Sequence, residues 1–277
     1  MSRNSSRVAA APPPESQTEQ PQQVARRTAN TDFVELPSKG LYYPVGHPLQ
    51  GKEVVEIRYM TARDEDILTS PTLLKKGLAL DKFVQNILVD QSIRVDDLLL
   101  GDKSAIMIAA RITGYGPEYE VKVTCPECDS ESENVFDISE YEKYYTSGES
   151  EHFTLLEDGT FSAILPLSQQ EVVVRMITSK DERRITKLTE TKTKNNLAES
   201  PTTDTLKTFI VSIDGVTRAG ELEQMIMNLP ARDSLFLRKN YGKLVPKVDM
   251  VENFECIYCG TETALEVPLE AGFFWPE

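Results

Sequence analysis

Cys125-Pro126-Glu127-Cys128 and Cys256-Ile257-Tyr258-Cys259 contain all four cysteines of the 277-residue chain. The two-residue spacing lets both thiolates of a pair point at one ion from a tight turn, and two such knuckles complete a tetrahedral zinc site. The chain continues alike after each pair, through Asp129-Ser130-Glu131-Ser132 and Gly260-Thr261-Glu262-Thr263. A strand-like, partly apolar stretch follows both times (Val135, Phe136 and Ile138; Val267 and Leu269). Each pair reads as half of a zinc ribbon, with Cys125, Cys128, Cys256 and Cys259 as candidate zinc ligands. Unlike an ordinary ribbon, the halves lie more than a hundred residues apart. Disulfides or free thiols are the alternatives. The first residues lack the apolar core of an export signal, so a reduced compartment and metal ligation are expected.

The wide separation has an explanation in the flanking sequence. Val54 to Met60 reads as a strand, followed by Thr61 as a helix N-cap and by Asp64-Glu65-Asp66, whose charge suits a helix start. Val172 to Ile177 reads as a second strand, followed by Thr178 and by Asp181-Glu182. Strand arginine (Arg58, Arg175), capping threonine, basic residue and Asp-Glu pair fall in register. Downstream, Asn86 to Asp90 corresponds to Phe209 to Ile213, and Leu100 to Ser104 to Leu229 to Ser234, each before a helix and a strand that lead to a knuckle. The pattern predicts an α+β fold made by tandem duplication of a strand–helices–strand unit. The first repeat spans 32–138 and the second 153–277, which includes an aromatic tail. A single zinc ion then joins the copies through a split, ribbon-like knuckle pair; zinc shared between two subunits is the alternative.

Outside the repeats, residues 1–31 are rich in Ser, Ala, Pro, Gln and Arg and read as a disordered arm. Residues 139–152 read as a linker, and the polar run Thr189 to Asp204 as a mobile surface loop. The tail Phe273-Phe274-Trp275 either packs back onto the ribbon or meets a partner.

The net charge of −14 opposes binding to a phosphate backbone. No apolar run approaches the roughly 18 residues of a membrane span. Phosphate loops, nucleophile elbows and His-Glu-x-x-His helices are lacking, and His47 and His152 read as exposed loop residues. A closed four-thiolate site keeps no position for water. No catalytic residues are expected, and no nucleic acid, membrane or small-molecule substrate as partner. A zinc-ribbon nucleic-acid regulator and a cryptic hydrolase are the readings from other classes.

Phe33-Val34-Glu35-Leu36-Pro37-Ser38-Lys39-Gly40-Leu41-Tyr42-Tyr43-Pro44, Met60-Thr61-Ala62-Arg63-Asp64-Glu65-Asp66-Ile67-Leu68 and the two knuckles resemble the baseplate hub protein family of T-even-like contractile-tailed bacteriophages. The resemblance covers most of the chain after residue 31. It implies a non-enzymatic protein that contacts other phage tail and baseplate proteins, in the virion baseplate or in the host cytoplasm during assembly. Hub subunit and hub assembly chaperone are both compatible with it.

Overall fold

The computed structural model describes residues 30–146, 150–195, 200–267 and 271–274. Most of the N-terminal arm, the tip of the expected linker, Leu269 of the expected strand-like stretch and Trp275 lie outside the described residues. In the N-terminal half the chain forms β1 (Thr31–Glu35), β2 (Val54–Arg58), α1 (Ala62–Leu68), α2 (Pro71–Lys75), α3 (Ala79–Ile87), α4 (Leu100–Tyr115), β3 (Glu118–Thr124) and β4 (Glu131–Asp137). Two short strands, β5 (Tyr145–Thr146) and β6 (Thr154–Leu155), lead to β7 (Phe161–Ile164), β8 (Glu171–Val174), α5 (Ser179–Lys194), α6 (Pro201–Phe209) and β9 (Ile210–Ile213). The chain closes with α7 (Ala219–Met227), α8 (Ala231–Leu244), β10 (Lys247–Val248), β11 (Val251–Glu255) and β12 (Glu262–Glu266). The mixture of helices with small antiparallel sheets is the expected α+β class. No helix among the described residues is long and apolar enough to cross a membrane.

Alternation of apolar and polar side chains makes β1 and β2 a hairpin with one buried face. Val34 lies opposite Val55, and Ile57 opposite Asp32, with all three apolar residues buried. β7 and β8 repeat this, with Ala163 opposite Val172 and Val174 opposite Phe161. A third segment then reaches the far side of each hairpin. In the N-terminal half it is the end of α3, held by a single bridge between Ile57 and Leu88. In the C-terminal half it is a full strand, β9, with Ile210 opposite Val174, which completes a sheet of order β6-β7-β8-β9.

The same polar clamp follows each hairpin. Arg58 gives two hydrogen bonds to Asp64, at 2.7 and 2.8 Å, while its Nε donates to the carbonyl of Asn86. Arg175 does the same to Asp181, at 2.6 and 2.8 Å, and donates to the carbonyl of Thr208. The N–H and hydroxyl of Thr61 donate to Asp64, and those of Thr178 to Asp181, in capping-box arrangements that start α1 and α5. Asp64 and Asp181 are therefore more than solvated charges at a helix start. Both are buried, and each ties a strand end to a helix start, while the same arginines reach the last turns of α3 and α6 at Asn86 and Thr208.

Thr189 to Lys194 belongs to α5 and residues from Pro201 onward to α6, which corrects both ends of the expected loop; its middle, residues 196–199, lies outside the described residues. Threonine is a weak helix former because its hydroxyl competes for backbone groups. Here Thr186, Thr189, Thr191 and Thr193 each donate to the carbonyl four residues back, so the competition is absorbed within the helix. Lys192 also binds Asp204 and Ser200 at the start of α6.

The two halves share one core. The Ser179 N–H donates to the Leu98 carbonyl at 2.9 Å, and Leu99 bridges Thr178, so the start of α5 abuts the start of α4. Around this seam Lys103 is salt-bridged to Asp81 (2.8 Å) and Glu182 (3.3 Å), and Arg183 to Asp81 and Asp96. The expected linker takes part: Tyr141 is buried, and β5 pairs with β10. α4 lies so close to β10 that a Cβ on Gly101 would stand 2.1 Å from the Pro246 carbonyl oxygen. Phe273 and Phe274 are buried too, edge-on to Tyr119 and Phe83, with Arg111 donating to the Phe273 carbonyl. The tail thus packs into the N-terminal half, and these two rings offer no surface to a partner.

Gly101→Ala should lower the unfolding free energy by about 1–3 kcal/mol or more, since its clash is with backbone. Gly242→Ala, in α8 with open space around it, should instead leave stability unchanged or raise it by up to about 1 kcal/mol. Denaturant midpoints of the two variants against the parent check the contrast. Burial pushes the Asp64 carboxyl up, but hydrogen bonds from Arg58, Thr61 and Asn86 outweigh it and hold the group down at about 2, from 3.8. A depressed folded-state value stabilises above the unfolded value and is lost as pH falls through the folded one. Asp64→Asn should therefore cost about 2 kcal/mol at pH 7, with the deficit to the parent shrinking between pH 4 and pH 2. Urea unfolding across that range measures it.

Candidate metal centre

β3 and β4 form one hairpin and β11 and β12 another, each with a cysteine pair at its tip. The strand that enters the second knuckle is β11, and the short β10 just before it (Lys247-Val248) pairs with β5. The turns are built alike. Cys125 N–H donates to the Ser130 carbonyl (2.9 Å) and Asp129 N–H to the Cys125 carbonyl (3.0 Å). In the other turn Cys256 N–H donates to Thr261 (3.0 Å) and Gly260 N–H to Cys256 (2.8 Å). Each needs a left-handed residue just after its second cysteine, supplied by Asp129 (φ 54°) and Gly260 (φ 71°). Gly takes this conformation freely, and Asp is among the side chains that tolerate it.

The hairpins converge tip to tip. The four sulphur atoms all lie within 4.8 Å of one another, with Cys125 to Cys259 and Cys128 to Cys256 each at 3.7 Å. Four thiolates around a zinc ion at about 2.3 Å stand about 3.8 Å apart, so the spacing suits a tetrahedral metal. Cys125 and Cys256 are buried and Cys128 and Cys259 exposed, and every thiol remains free, so these distances are not disulfides. The structure gathers all four expected ligands, and the donor set can hold a soft or borderline metal ion.

Polar groups around Cys256 and Cys128 bias these two toward thiolate, the form that binds metal. The Ser130 hydroxyl and the Cys259 and Tyr258 N–H groups hold the Cys256 thiol down to about 6. Ser130 likewise lowers Cys128. The Cys128 and Glu127 N–H groups pull Cys125 down, but burial and the Cys128 and Cys256 sulphurs outweigh them and push it up to about 11. Ser130 Oγ lies 2.9 Å from Cys128 Sγ and 3.5 Å from Cys256 Sγ, across the junction between hairpins. Thr261 Oγ1 lies 3.3 Å from Cys259 Sγ. The roles of these two hydroxyls were not read from the sequence, although their shared position, two residues after each second cysteine, is a signal for them.

Neither histidine belongs to the cluster. His152 is exposed and tilts against Phe236. His47 departs from expectation: it is half-buried, stacked on Tyr43 at 4.4 Å, with Nδ1 accepting from the Leu49 N–H. No curated protein and no solved structure shows significant similarity to the chain. A family model described as T4 bacteriophage base plate protein matches residues 29–275, nearly the whole chain, and the chain belongs to that family.

Proposed function

We propose that this protein is a non-enzymatic structural or assembly component of the baseplate hub, acting through protein–protein contacts and braced by one structural zinc ion. The family match over residues 29–275 carries the reading. Family membership supports a structural role in the phage tail, contact with other tail proteins and residence in the virion tail. The four-sulphur geometry supports Cys125, Cys128, Cys256 and Cys259 as zinc ligands. Four protein ligands fill a tetrahedral ion and leave it no open position for substrate, so the metal's contribution is to hold the hairpin tips together.

A tandem duplication underlies this arrangement. Its support is the recurrence, in chain order, of a hairpin, an arginine–aspartate clamp at a capped helix, and a cysteine-tipped hairpin. A further pair of contacts agrees with it. Asp102, near the start of α4, accepts from the Ser38 N–H just after β1, and Asp233, near the start of α8, accepts from the Leu167 N–H just after β7. Leu36-Pro37 and Leu165-Pro166 occupy matching places before these contacts, with both leucines buried. Each repeat contributes two thiolates, and the ion joins the repeats within one chain.

Metal analysis of the purified protein should give one zinc per chain, and Cys256→Ser should lose it together with several kcal/mol of stability, on the order expected of structural zinc. The zinc-loaded protein should sediment as a monomer; a dimer that dissociates when the zinc is chelated would move the site to a subunit boundary. Quantitative mass spectrometry of purified virions beside infected-cell lysate tests the baseplate role. A fixed small-integer ratio to other baseplate proteins is expected; abundance in lysate with absence from particles would instead make the protein an assembly chaperone.

A further inference from the structure

The negative charge of this protein is concentrated at one end. Residues 118–143, around the first cysteine hairpin, hold nine acidic and two basic side chains. Residues 249–266, around the second, hold five acidic and none basic. Together they account for twelve of the fourteen net negative charges, so the rest of the chain is close to neutral. Such a concentrated field steers and orients an oppositely charged partner, where a diffuse one only aids solubility.

The same end has unfilled hydrogen-bonding capacity. β4 pairs only with β3, and β11 only with β12, so among the described residues each hairpin leaves a strand edge without a partner. An open edge is a template for an added strand. The edges do not join each other: a groove of about 490 Å³ lies between them, lined by residues 134–137 of β4 and 252–255 of β11. Asp137, Glu140, Glu252 and Glu255 give it four carboxylates, against Lys143 alone of opposite sign. Val135 also lines it and is 61% exposed, a place for an apolar side chain of an extended ligand.

We propose that this groove docks an extended, lysine- and arginine-rich segment of another protein, laid along the open edges of β4 and β11. Backbone groups of the segment meet the strand edges, its basic side chains meet the carboxylates, and apolar residues at alternate positions meet Val135. A polyanion such as nucleic acid is repelled by the same field. That the segment comes from a neighbouring tail protein rests on the proposed baseplate role; the binding chemistry does not.

The test uses the full chain and a fluorescent peptide of about twelve residues that alternates lysine or arginine with valine, followed by anisotropy at low and physiological salt. A variant with Asp137→Asn, Glu140→Gln, Glu252→Gln and Glu255→Gln should weaken binding about tenfold or more, and flatten its salt dependence. A control variant with the same loss of charge elsewhere, at the exposed Glu151, Glu157, Glu190 and Glu221, each changed to Gln, should weaken it less than about twofold. Glu255→Lys, at a single exposed position, keeps the comparison available if the fourfold groove variant fails to fold. Equal weakening by the two fourfold variants would reduce the attraction to diffuse charge and overturn the proposal, as would no binding of the peptide at low salt. Because no virion enters this assay, its failure is distinguishable from failure of the baseplate assignment.

Discussion

Four sulphur atoms can approach within 4.8 Å only if two hairpins, distant in sequence, are aimed at the same point, and metal–ligand bonds there would tolerate errors of only about 0.2 Å. A hairpin two strands wide has no independent stability to hold such an aim. The direction of each is set from its base, by α4 for the first and by α8 with β10 for the second. Those helices are in turn positioned by the seam at which the start of α5 meets the start of α4. Gly101 permits the close approach of α4 to β10, and Ser179 closes a backbone hydrogen bond to Leu98. The cysteine cluster is thus the far end of a lever whose fulcrum is this seam.

The polar chemistry of the fold is organised to keep that fulcrum stiff. Asp64 and Asp181 are buried carboxylates, and a buried charge is tolerable only when paired and fully hydrogen-bonded. Each receives a planar arginine fork together with a threonine hydroxyl and N–H. The result is a rigid corner between strand and helix, built twice. Across the seam, Lys103, Arg183, Asp81, Asp96 and Glu182 form a network rather than isolated pairs, so no one of these charges faces the interior alone. Phe273 and Phe274 return to the N-terminal half and seal it with aromatic edge contacts.

A four-thiolate donor set and an acidic surface fit the proposed picture of a protein that works by contact. An ion held there would tie the two hairpin tips together beside the groove between β4 and β11. The two histidines lie against aromatic rings, and the thiols face one another.

Much of the site was legible in the sequence because its signals are local. A two-residue cysteine spacing, an arginine that ends a strand, and a threonine three residues before an aspartate each describe one turn of chain, and all stand where the sequence put them. The α+β class was legible for the same reason, as alternation and helix-start signals act within a few residues. Tertiary structure decided the rest. It turned a threonine-rich polar run into helix, because hydroxyls bonded back to carbonyls and Lys192 reached across to α6. It drew the terminal phenylalanines inward, since apolar rings gain from burial wherever the fold leaves a matching pocket. It made a buried clamp of Asp64, and it brought together two strand edges whose groove has no linear signature. Each of these depends on which surfaces meet across long separations in the chain, and no local pattern encodes that meeting.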